Sequence, residues 1–73
     1  MNTVIVHELG CVYTLSQAGD LMYSPLKRGT DEPAWDEFDF VDHMLLMDEE
    51  PEVIELVNMA ETILRESSVA KVP

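Results

Sequence analysis

The sequence predicts an α+β domain: a small antiparallel sheet of three to four strands, covered by one C-terminal amphipathic helix. Two observations predict it. In the N-terminal third, short β-branched and aromatic runs are separated by polar stretches containing glycine. In the C-terminal third, apolar residues behind Pro51 recur at i, i+3, i+4 and i+7. A chain of 73 residues makes one domain at most, and one of this size buries only about 60% of its unfolded surface. That leaves room for a helix on a sheet, but not for a cleft walled by two layers. The predicted domain spans residues 1–66, and 67–73 read as a frayed tail because no cap signal closes the helix.

The strands come first along the chain. Thr3-Val4-Ile5-Val6-His7 is β-branched and bounded by Gly10. Cys11–Leu15 and Leu21–Ser24 flank Ser16-Gln17-Ala18-Gly19-Asp20, a polar connection with glycine near its end, and together they read as a hairpin. Pro25 has no amide proton for a ladder, so the third strand ends there or lies at an edge. Lys27-Arg28-Gly29-Thr30 reads as a turn and holds half of the four basic residues.

The helix is the clearest element. Pro51 suits a first helical position, and Asp48, Glu49 and Glu50 complement the positive end of the helix dipole. Val53, Leu56, Val57, Ala60, Ile63 and Leu64 fall within an arc of roughly 120°, which predicts the buried face. Glu55, Asn58, Thr62, Arg65 and Glu66 occupy the other side, and Ile54 lies outside the apolar stripe. The middle segment, 30–47, carries two patterns. Glu37-Phe38-Asp39-Phe40 alternates like a strand, whereas Trp35, Phe38, Val41 and Leu45 also share a helical face. A helix would strand Phe40 on the wrong side, so a short strand at 37–42 and a helical turn at 43–47 are predicted. Trp35, Phe38 and Phe40, placed among the acids, read first as core packed between helix and sheet and second as apolar anchors for a partner.

Charge narrows the function. Fifteen acidic residues face four basic ones, a formal net charge of −11. Such a field repels nucleic acid and anionic lipid and attracts basic surfaces. Between Asp31 and Glu55 stand eleven carboxylates in twenty-five residues, with no Lys or Arg between Gly29 and Leu64. An ordinary solvated face interleaves both signs, because like charges one helical turn apart destabilise. Keeping that repulsion in a small domain points to a useful field. The bland reading is solubility alone.

In length, charge and carboxylate clustering over Asp31–Glu55, the chain resembles the small acidic inhibitors encoded by phages and other mobile elements. These are DNA-mimicking anti-restriction and anti-CRISPR proteins, and phage proteins that bind host RNA polymerase. The resemblance implies an inhibitor that covers a basic, nucleic-acid-binding surface of a target protein. The partner-binding residues expected from the tract are Asp36, Glu37, Asp39, Asp42, Glu49, Glu50, Glu52 and Glu55. Carboxylates one helical turn apart lie about 5.4 Å apart along the axis. Such an edge can engage Arg and Lys side chains built to hold phosphate.

Other chemistry is poorly supplied. Asp36 to His43 offers oxygen ligands but lacks the glycine at the sixth and the glutamate at the twelfth position of an EF-hand loop. His7, His43 and the single Cys11 are scattered, so neither a zinc site nor an internal disulfide is expected. Cys11 with a histidine is a formal nucleophile–base pair, but cysteine in an apolar strand behaves as a small hydrophobe. No Gly-rich phosphate loop is present. The sequence therefore predicts no enzyme, no cofactor and no metal. Met44-Leu45-Leu46-Met47, the longest apolar run, is far short of a membrane span. The first residues lack a signal peptide's basic and apolar regions, and a cytoplasmic location is expected. The rival reading is a structural or regulatory subunit that associates through apolar surface, as a homodimer or within a complex, with the charge serving solubility. Electrostatic capture weakens steeply with salt and apolar association does not.

Overall fold

A computed structural model describes residues 2–69, with side chains described for 2–67. Its strands are β1 (Val4–Val6), β2 (Cys11–Leu15), β3 (Leu21–Pro25) and β4 (Asp39–Phe40), and its helices are α1 (His43–Leu46) and α2 (Pro51–Val69). The strands form one antiparallel meander in the order β1-β2-β3-β4. This is the predicted α+β architecture.

Local chemistry sets each turn. After β1 a short 3-10 helix, His7–Leu9, ends on Gly10 at φ 65°, a left-handed conformation that favours glycine. The β2–β3 loop closes through Ser16: its amide donates to the Asp20 carbonyl at 2.8 Å, and its hydroxyl accepts from the Asp20 amide at 3.1 Å. Gly19, at φ 87°, makes that return. β3 stops at Pro25, as the missing amide proton requires.

Alternation along the strands divides the sheet into two faces. Val4, Tyr13, Tyr23 and Asp39 form one cross-strand row, and Val6 lies opposite Cys11 on the same face. Here α2 packs, mainly across β1 and β2, and Val6, Tyr13 and Leu21 meet Val57, Ala60 and Leu64 in the core. Full burial of one such large side chain stabilises by about 1.5–3 kcal/mol. The other face is closed by the chain after β3. Val12 and Ser24 are fully buried there, and the Ser24 hydroxyl donates to the Ala34 carbonyl at 2.9 Å.

Three details depart from expectation. Ile63, predicted in the buried stripe, is 46% exposed. The helix turns its centre, Val57-Ala60-Leu64, onto the sheet, and Ile63 sits about 90° round from that line. It lies off the line of contact with the sheet and stays open to solvent. Second, Trp35, Phe38 and Phe40 do not fill the space between helix and sheet. Trp35 and Phe40 are more than half exposed, and Trp35 pairs with half-buried Phe38 at a ring separation of 5.5 Å. Asp39 takes the α2 side of the two-residue strand β4, so alternation turns Phe40 to the opposite face, and Trp35 lies before the strand on a 3-10 helix, Trp35–Glu37. Third, residues 67–69 of the predicted tail are helical, and 70–73 lie outside the described residues.

Candidate partner-binding site

The structure places all eight predicted carboxylates at the surface. They do not form one face. Asp36 and Glu37 lie on the 3-10 helix before β4, Asp39 is on β4, and Asp42 caps α1. Glu49 and Glu50 lie between the helices, and Glu52 and Glu55 are on the first turns of α2. Among the described residues none of the eight is in an ion pair. The recorded pairs are His7–Asp31 and His43–Glu61, each at 3.7 Å, and Arg65–Glu61 at 2.7 Å.

Two of the eight also hold the backbone. Asp42 Oδ1 accepts from the Met44 and Leu45 amides at 3.0 and 3.3 Å, an N-cap for a helix of four residues. Asp39 Oδ1 accepts from the Phe40 amide at 2.8 Å. The remaining six are the cleaner charge probes.

Three of the carboxylates converge on a groove of about 770 Å³ between α1 and α2. Tyr13 and Tyr23, paired across β2 and β3 with ring centroids 6.3 Å apart, line its floor. One bank is Phe40, Val41, Leu45 and Leu46; the other is Val53 and Val57 of α2. Asp39, Asp42 and Glu49 complete the lining. The groove exists because α2 covers β1 and β2 while β4 and α1 stand off to one side. Burial pushes the Tyr13 hydroxyl up to about 12, with smaller contributions from Cys11 and Tyr23. Tyr13 is therefore neutral at physiological pH, and the carboxylates of the lining supply the charge.

Glu52 and Glu55 belong elsewhere. With Leu56 and Met59 they line a second hollow, on the opposite shoulder of α2. Leu56, Met59 and Ile63 make a partly exposed apolar strip on that shoulder.

The groove's apolar residues are not in the predicted site, although one signal for them is visible. Met44-Leu45-Leu46-Met47 is an apolar run set between Asp42 and Asp48, where a solvated segment has no need of one. In the structure Met44, Leu45 and Met47 are 82%, 66% and 76% exposed. The signal for Tyr13 and Tyr23 is absent, because alternation marks them only as core.

The remaining candidates have ordinary surroundings. Cys11 is half-buried, its thiol donates to the Leu9 carbonyl at 3.3 Å, and burial pushes its pKa up, away from the reactive thiolate. Among the described residues, no three His, Cys, Asp or Glu side chains gather at metal-binding spacing. No helix among them is long and apolar enough to cross a membrane. The chain matches no protein-family model, no curated protein and no solved structure.

Proposed function

We propose that this chain is an acidic interaction protein that occupies a basic, nucleic-acid-binding surface of a target protein and inhibits it. One observation carries the reading: eight exposed carboxylates on consecutive elements, 36–55, have no Lys or Arg among them and no ion-pair partner among the described residues. A surface kept at one sign repels nucleic acid and favours encounter with a basic protein. The inhibitory role follows from the resemblance to acidic phage inhibitors, since a protein seated on a phosphate-binding surface excludes the nucleic acid.

The test is capture from host lysate by the immobilised chain at low and moderate salt, with bound proteins identified by mass spectrometry. The expected catch is a nucleic-acid-binding protein that duplex DNA displaces, and that the variant Glu49, Glu50, Glu52 and Glu55→Lys no longer holds. Capture that survives both DNA and moderate salt contradicts the proposal.

The strip Leu56-Met59-Ile63 favours a second reading, a subunit that docks through the α2 shoulder. Against self-association there, Glu52 and Glu55 line the same hollow, so a symmetric pair brings like charges together.

A further inference from the structure

We infer that the groove between α1 and α2 receives an amphipathic α-helix of the partner, with an apolar row flanked by Lys and Arg. This rests on the basic-partner reading above and names the element the partner presents. Shape comes first. The groove has two apolar banks over a floor of Tyr13 and Tyr23, and it is open to solvent. Its volume of about 770 Å³ falls within the roughly 300–1,000 Å³ of small-molecule sites. Yet it is an open groove and not an enclosed cavity, and Leu45 on its bank stays two-thirds exposed, unlike the pockets that bury most of a small ligand.

Charge chooses among macromolecular occupants. Asp39 and Asp42 stand on the β4–α1 side and Glu49 beyond the end of α1, with no Lys or Arg in the sequence from Gly29 to Leu64. A helix with Lys or Arg along the edge of its apolar row that meets β4 and α1 satisfies these carboxylates. A second copy of the chain brings another net −11 to the same place.

The backbone argues against an extended occupant. Val41 donates its amide to the Leu21 carbonyl at 3.0 Å, so by alternation the Phe40 amide faces away from β3. That outward amide is already held by Asp39 Oδ1. The edge is two residues long with its donor capped, so it offers little to an added strand.

The experiment uses three cationic probes: a synthetic helix with Leu at i, i+3, i+4 and i+7 and Lys elsewhere, a scrambled peptide of the same composition, and polylysine. Affinities for the whole chain are measured at low salt by calorimetry, and contacts are mapped by amide chemical shifts. The helix is expected to bind at least about tenfold tighter than the scramble, with shifts centred on Tyr13, Tyr23 and Val53. Leu45→Ser should abolish that advantage and leave the scramble's affinity unchanged. Leu45 is two-thirds exposed, so the variant folds.

Equal affinities for helix and scramble overturn the groove assignment and leave the basic-partner reading standing. Failure of all three probes to bind overturns both. A concentration-dependent dimer in sedimentation, broken by Leu45→Ser, overturns the inference by assigning the groove to a second copy.

Discussion

Residues 2–25 and residues 26–50 are nearly equal in length and built on opposite rules. The first segment carries two carboxylates, Glu8 and Asp20, and supplies four of the buried apolar side chains: Val6, Val12, Tyr13 and Leu21. The second carries nine carboxylates, and Ala34 is its one buried apolar residue among those described. It exposes Trp35, Phe40, Met44, Leu45 and Met47 instead. A chain with so small a core gains stability from each apolar residue it encloses. Leaving five large ones outside, among like charges, is a cost in folding that makes sense as surface for a partner. In this molecule β1, β2, β3 and α2 hold the fold, and the segment between β3 and α2 meets the outside.

The largest expected effects come from breaking the closed region and sparing the open one. Leu64→Ala, at 2% exposure, should cost about 2–5 kcal/mol in urea unfolding. Leu45→Ala removes the same atoms from the open region and should cost under about 0.5 kcal/mol. Ile63→Ala should resemble Leu45 more than Leu64. Similar costs at Leu64 and Leu45 would erase the distinction.

Alkaline pH probes the boundary between the regions, where Tyr13 is core on one side and groove floor on the other. Its pKa is raised from about 10 to about 12 when folded. The unfolded chain therefore loses this proton first. Stability is intact below pH 10 and falls as pH rises from about 10 to 12. Cys11, also raised by burial from its ordinary value near 9, acts in the same direction. Tyr13→Phe should move the alkaline unfolding midpoint upward in a circular-dichroism titration. An unchanged midpoint would mean that the hydroxyl is solvated in the folded state.

Smaller effects should come from the turns. Gly19→Ala places a side chain at φ 87° and should cost about 1–2 kcal/mol. It also disturbs the Gly19 carbonyl, which accepts from Arg65 Nη2 at 3.1 Å and ties α2 to the β2–β3 loop. In the open segment, Asp42→Ala removes a cap normally worth about 0.5–2 kcal/mol. The helix it caps has four residues, so the low end is expected. Asp42→Asn should keep most of the cap and lose the charge. The gentlest probe is salt: screening among the carboxylates should raise the melting temperature between low and moderate ionic strength at pH 7. A flat response would weaken the argument that the field is kept against a cost.

The closed region was the legible one. Periods of 2 and 3.6 report which side chains face a core, so β2, the β2–β3 hairpin and the stripe through Val57, Ala60 and Leu64 follow from the residues alone. Ile63 did not, because periodicity defines an arc of the helix but not how far the sheet extends beneath it. The open region was legible as charge and as a strand followed by a helical turn. Its outward aromatics were legible only as the weaker of two readings and its methionines not at all, since apolar residues default to packing when no partner is in view. The groove depends on where α1 stands relative to α2, which local patterning does not encode.

On the proposed function the carboxylates, not the α2 shoulder, make the partner contact. The most direct measurement compares target affinity for two variants that both keep the fold. One carries Lys at Asp36, Glu37, Glu49 and Glu50; the other carries Ser at Met59 and Ile63. The Lys variant should lose the target, with single charges worth about 2–5 kcal/mol where they meet a desolvated cation, while the Ser variant should bind as the parent does. Normal binding by the Lys variant and failure of the Ser variant would rule out an acidic contact and assign it to the apolar shoulder.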